Sequence, residues 1–186
     1  MICSRCITIH GTHNVDVVNN VAYDHIGHCY YLEDGGEMGN VFDGNLGIGT
    51  KAGNLTPSDS TPSTFWITSP KTKLVGNVAA GSDRRGGVGI WYIFPDSPVG
   101  LSTNRTEFVL NEAAHTQIDL FRDNIAHSNG GVGLGFFKRL GPKHEVLGCS
   151  VHGVMLNPLN KSSELEPLVF AGFVGNLFMT FQIKKK

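Results

Sequence analysis

A chain of 186 residues can bury one sizeable core and does not demand two domains. Charged residues make up only 17% of it, the formal net charge is −1, and Gly is abundant at 24 residues. That balance excludes a disordered chain and gives no long-range attraction to nucleic acid, whereas tight turns between buried strands suit it well.

Residues 1–6 read as an irregular start, and Met1 leads into no basic and apolar pattern of a signal peptide. Cys3 and Cys6 form a C-x-x-C pair, but neither a second pair at zinc-ribbon spacing nor a βαβ pattern follows. Cys29 falls in an expected strand and reads as a small core residue. From residue 7 to 53 the chain reads as turn-and-strand coils: Ile7-Thr8-Ile9, the His10–His13 turn, Val15–Val18, the Asn19-Asn20 corner and the strand near Cys29–Leu32. Asp34-Gly35-Gly36 then breaks the chain sharply. Residues 54–63, rich in Pro and Ser, leave the stack as an excursion, and Thr64–Thr68 returns as a strand. Further excursions are expected near Pro95–Glu107 and Leu140–Glu164, and Leu110–His115 makes at most a short helical turn. Leu168–Ile183 is apolar and followed by Lys184-Lys185-Lys186, yet it is short for a span and contains Asn176, Thr180 and Gln182. A last strand is the preferred reading, with 176–186 as an irregular tail. Sequons at Asn54, Asn104 and Asn160 suit a secreted glycoprotein, although a chain this rich in Asn, Ser and Thr produces such triplets by chance.

One unit recurs: Asn20-Val21-Ala22, Asn40-Val41-Phe42, Asn77-Val78-Ala79 and Asn124-Ile125-Ala126. An apolar pair precedes the Asn at Val17-Val18, Leu74-Val75 and Leu120-Phe121, and an apolar run follows at Cys29–Leu32, Gly89–Ile93 and Gly133–Phe137. Strand-and-turn repeats with a period of about 20–50 residues indicate a solenoid of stacked coils. Equivalent residues then stand roughly 4.8 Å apart, so Asn20, Asn40, Asn77 and Asn124 are expected to bond from coil to coil as a ladder. Asn also tolerates the left-handed conformation that a sharp corner requires. The predicted fold is all-β, a single-domain right-handed parallel β-helix of the pectin-lyase-like kind over residues 7–175.

Five stretches go beyond periodicity. Ile9-His10-Gly11-Thr12-His13, Gly27–Gly35, Ser63–Ile67, Gly76–Ser82 and Asn124–Asn129 occur in that order with compatible spacing. Together they resemble the β-helix region of the CEMIP family, which groups hyaluronan-binding, cell-surface hyaluronidase and fibrocystin-like proteins. The resemblance implies an extracellular or cell-surface parent protein, of which this chain would be a partial product. It also implies a glycan such as hyaluronan as partner, together with other domains of the parent, and membrane attachment only through parts absent here.

A retaining glycosidase needs two carboxyl groups about 5–5.5 Å apart, close to the spacing of stacked coils. Alignment on the Asn units sets Glu33 beside Phe94 and Lys138, Asp34 beside Pro95 and Arg139, and Asp24 beside Gly81 and Ser128. No acid stacks on another, so no catalytic residue is assigned and catalysis by this portion is disfavoured. His10, His13 and His28 are the sharper set, with Glu33 able to orient one of them, although His residues at coil corners more commonly bond backbone carbonyls. No spacing presets metal ligands on one element, so no metal site is assigned; calcium stays a candidate cofactor. Trp66, Trp91, Tyr30 and Tyr31 are candidates for a platform that packs sugar rings, with Tyr30 and Trp91 aligned, unless the rings stack inside the core. Together with Asp34, these residues form the candidate glycan-binding set, and Asp83–Gly87 and Lys138-Arg139 add cations.

Overall fold

The computed structural model describes residues 4–104, 107–137, 150–151 and 154–156. The first coil consists of β1 (Ile7–Ile9), β2 (Asp16–Val18) and β3 (Val21–Tyr23), and the second of β4 (Tyr30–Leu32), β5 (Asn40–Asp43) and β6 (Leu46–Ile48). The third holds β7 (Ser63–Ile67), β8 (Thr72–Val75) and β9 (Val78–Ala80). In the fourth, β10 (Val88–Ile93) is followed by the one-turn helix α1 (Glu112–His115), then β11 (Leu120–Arg122) and β12 (Ile125–His127). β13 (Leu134–Phe137), β14 (Ser150–Val151) and β15 (Val154–Leu156) continue the pattern. Through β13 every third strand joins one sheet, and β14 and β15 extend two of them: β1-β4-β7-β10-β13-β15 is sheet A, β2-β5-β8-β11 sheet B and β3-β6-β9-β12-β14 sheet C. All pairings are parallel, which makes the molecule a parallel β-helix. Two strands fall inside Leu140–Glu164, so that segment is not a plain excursion, and the apolar stretch 168–183 lies outside the described residues.

Alternation decides which side chains enter the core. Tyr30, Phe65, Ile90 and Leu134 share one inward column of sheet A, and sheet B contributes Val17, Phe42, Leu74 and Phe121. From β3 to β12, sheet C offers small residues inward, Ala22, Gly47, Ala79 and Ala126. The rings from sheet A fill the space this leaves: Tyr30 stacks on Phe65 with centroids 4.6 Å apart, and its hydroxyl reaches across to the Leu46 carbonyl at 3.1 Å. A Cβ at Gly47 would press on Tyr30 and run into Thr64.

The corner between sheets B and C carries the repeat. Asn20, Asn45, Asn77 and Asn124 form the ladder: each side-chain amide of the lower coil donates to Oδ1 of the next, at 2.9, 3.0 and 2.9 Å. Intervals of 25, 32 and 47 residues separate the rungs, because coils differ only in their loops. Asn40 is not a rung. It sits at the preceding corner, where Oδ1 accepts the Val15 N–H and Nδ2 donates to the Thr12 carbonyl. Asn45 escapes an Asn-Val/Ile pattern because Leu46 follows it. The left-handed residue is also not the ladder Asn but the one before it: Asn19, Gly44, Gly76 and Asp123 have φ between 54° and 63°.

Cys29 is not a free core thiol. It forms a disulfide with Cys6 across coils one and two, where Ile7 pairs with Tyr30. Closing a loop between residues 23 apart in sequence is worth about 3 kcal/mol in the chain-entropy account. Urea unfolding with and without reductant should differ by about that amount, and coincident curves would contradict a stabilising role.

Candidate functional site

The outward column of sheet A is aromatic. Tyr31 pairs with Trp66, Trp66 with Trp91, and Trp91 with Gly135. Ring centroids stand 5.9 Å apart for Tyr31 and Trp66, and 5.6 Å for Trp66 and Trp91. Both Trp rings are half-buried, whereas Tyr31 is covered by its neighbours. Alignment of Tyr30 with Trp91 is thereby corrected: Tyr30 points inward and Trp91 stacks with Tyr31 and Trp66. The one-residue shift arises because the connection from the corner Asn to the next strand of sheet A differs in length from coil to coil, so the Asn units do not fix the register there.

Two excursions border this column. The first, around the short 3₁₀ turn Pro57–Ser60, lies at the start of the strands. There Asp59 Oδ1 takes the Arg5 guanidinium at 2.7 Å, and the Arg5 guanidinium in turn lies over the Tyr31 ring at 4.4 Å. Burial pushes the Asp59 carboxyl up, but Arg5 and the Thr56 N–H outweigh it and hold the group below the usual range. His28 is enclosed beneath: Nδ1 accepts the Ser63 N–H at 3.0 Å, and Nε2 reaches Ser58 Oγ at 3.1 Å. Burial lowers its pKa to about 3, and the ring packs against Trp66 with centroids 4.0 Å apart.

The second excursion covers the ends of the strands. Val99 N–H bonds the Asp34 carbonyl at 2.8 Å, and Ser102 lies against Asp34 and Gly36. His10 and Glu33 follow the paired residues Ile9 and Leu32, so they face each other between coils, Nδ1 to Oε2 at 2.9 Å. Asp34 Oδ1 is 3.5 Å from the same nitrogen. Successive strand residues such as Glu33 and Asp34 point to opposite faces unless the Gly35-Gly36 turn twists them; Gly35 has φ 82°, and both carboxylates lie at His10. The expected place of Glu33 beside Phe94 shifts likewise: register continues from Leu32 and Ile67 to Glu33 and Thr68. Asp24 does continue in register with Gly81 and Ser128, and it pairs with Lys51.

The three His do not converge. His13 accepts the Met38 N–H at 3.1 Å, a corner bond of the ordinary kind, and His28 belongs to the opposite border of the column. Sequence reasoning missed Glu37. Its carboxylate accepts the Asp34 N–H at 2.9 Å and the Gly11 N–H at 3.3 Å, and burial raises its pKa. An acid inside the Gly-rich stretch Gly35–Gly39 was the available signal. Cys6, His25 and Cys29 also cluster, but the disulfide occupies both sulfurs. Lys138 and Arg139 lie outside the described residues. Arg84 and Arg85 are exposed on the turn before β10. Among the described residues no helix is long and apolar enough to cross a membrane.

The family model described as CEMIP beta-helix matches residues 2–62 and 57–134. The chain belongs to the CEMIP β-helix family. The human protein named cell surface hyaluronidase CEMIP2 is 36% identical over 156 residues, 70% of this chain and 11% of that protein. Human cell migration-inducing and hyaluronan-binding protein is 33% identical over 156 residues, again 70% of this chain and 11% of the relative. Mouse fibrocystin-L is 36% identical over 142 residues, 75% of this chain and 3% of its own length. The chain thus spans only a small part of the curated relatives it matches. As a CEMIP-family β-helix, its most distinctive surface is the aromatic column with an acid-and-His corner at one end.

Proposed function

We propose that this chain is a glycan-associated module of a cell-surface or extracellular protein, gripping hyaluronan or a similar acidic polysaccharide along the outer face of sheet A. The observation that carries the reading is the in-register pair of half-buried rings Trp66 and Trp91, continued along the column by the covered Tyr31. Sugar C–H faces pack on such rings while polar side chains at the margin bond hydroxyls, here His10, Glu33 and Arg5. Arg84 and Arg85 supply exposed positive charge for sugar carboxylates. Two relatives bear names that speak of hyaluronan, which supports the same ligand class. The Cys6–Cys29 disulfide supports an oxidising compartment.

Tryptophan fluorescence during titration with hyaluronan oligosaccharides tests this, at low and high salt and with and without calcium. Trp91→Ala is expected to weaken binding about tenfold, the loss of about 1.4 kcal/mol that one aromatic contact provides. No binding at low salt would leave a structural or adhesive scaffold as the role. A second reading, part of a hyaluronan-depolymerising glycosidase, draws on the gathering of Glu33, Asp34 and Glu37 at the end of the column. Incubation with high-molecular-weight hyaluronan followed by sizing tests it, and an unchanged polymer would reject catalysis by this chain.

A further inference from the structure

The corner after β4 holds more negative charge than its donors satisfy. Asp34 and Glu37 are both fully buried, yet among the described residues neither Asp34 Oδ1 nor Glu37 Oε2 accepts a hydrogen bond. A buried carboxylate oxygen without a donor is costly, and Asp34 Oδ1, 3.5 Å from His10 Nδ1, is the one that a cation between these side chains would satisfy. The backbone fixes Asp34 in this position, because its N–H is bound by Glu37 and its carbonyl by Val99. A Cβ at Gly100 would collide with the Asp34 carboxylate, so the second excursion closes over that side. His10 and Glu33 approach from the open side, with side chains 46% and 34% exposed. His10 Nδ1, a Glu33 oxygen and an Asp34 oxygen all lie within 4.8 Å of one another.

We propose that His10, Glu33 and Asp34 form a divalent transition-metal site, for which zinc is the best-fitting ion. One imidazole nitrogen and two carboxylate oxygens are a donor set that zinc takes readily, with a fourth position left to solvent or a ligand. Calcium prefers six to eight oxygen ligands, which this corner does not supply. Glu37 acts as a positioning residue: its carboxylate holds the Asp34 N–H and the Gly11 N–H, fixing the strand end and the His10 turn together. The site requires no glycan and stands whether or not the sugar-binding reading holds.

Calorimetric titration of the chelator-treated chain with zinc chloride should give one saturable site. His10→Ala and Glu33→Gln, both on exposed side chains that leave the core intact, should each weaken it at least tenfold. His127→Ala, an exposed His on another sheet, should leave it unchanged. Cobalt(II) should give visible absorption bands of low-coordinate cobalt, and His10→Ala should abolish them. Absence of zinc binding, undiminished affinity in both variants, or binding of calcium but not zinc would each overturn the assignment.

Discussion

Replacing Asn77 by Ala is expected to lower the unfolding free energy by about 3–5 kcal/mol, read from urea denaturation. Its Oδ1 accepts both the backbone N–H and the side-chain amide of Asn45, each at 3.0 Å, and its Nδ2 donates to Phe42 O and Asn124 Oδ1. All of these groups are buried, so truncation leaves several without partners at once. Each abandoned buried group costs on the order of 1–3 kcal/mol, with relaxation recovering part of the sum. Asn20 gives the internal comparison. It is half-buried, and among the described residues no other rung donates to its Oδ1, so Asn20→Ala should cost only about 1 kcal/mol. Equal losses at the two positions would contradict a cooperative buried ladder, and a neutral Asn77→Ala would reject the ladder's role in stability.

Acidification is expected to act through two histidines. Burial lowers the pKa of His25 to about 4 and of His28 to about 3, against about 6.5 in the unfolded chain. The unfolded state therefore binds protons first. Stability is full above about pH 6.5 and declines as pH falls toward the folded values. From pH 7 to pH 5 the loss is about 2 kcal/mol for each histidine, or about 4 kcal/mol together. For His28 the bonding explains the direction, since Nδ1 already accepts the Ser63 N–H and has no lone pair left for a proton. Glu37 works with the opposite sign: burial raises its folded pKa, so falling pH favours the folded state at that group. Urea midpoints at pH 7, 6 and 5 measure the net effect, and Glu37→Gln removes the opposing contribution. His28→Gln should reduce the pH dependence by about half. A midpoint that stays flat from pH 7 to pH 5 in Glu37→Gln would contradict neutral burial of both rings.

The fold was legible because stacked coils write the same chemistry into the sequence at each turn. Asn77 and Asn124 are followed by Val78 and Ile125, whose outward β-branched side chains make the unit visible. Asn45 was hidden, since its rung depends on an amide and a preceding left-handed Gly, and tolerates Leu46 after it. The register on sheet A was hidden for a separate reason: the connections from the corner Asn to that sheet vary in length, so the Asn units do not fix it and Trp91 is set opposite the wrong ring. Bonds across coils were harder still. The Cys6–Cys29 bridge and the pairing of His10 with Glu33 follow directly once Ile7 is set against Tyr30, but no Asn unit stands before Ile7 in this sequence by which to set it. Glu37 was out of reach for another reason. It is buried beside Gly36 and Asp34, which lie against Ser102 on an excursion far along the chain, where the repeat carries no information.

The place of the disulfide bears on how the chain would carry a mechanical load. Cys6 immediately precedes β1, and Cys29 immediately precedes β4. Tension applied to the segment before Cys6 passes through the sulfur bridge directly into the second coil, bypassing the three-residue strand β1. Strand β1 is thereby shielded from peeling, and a pull from that side meets a covalent bond before it meets a sheet edge.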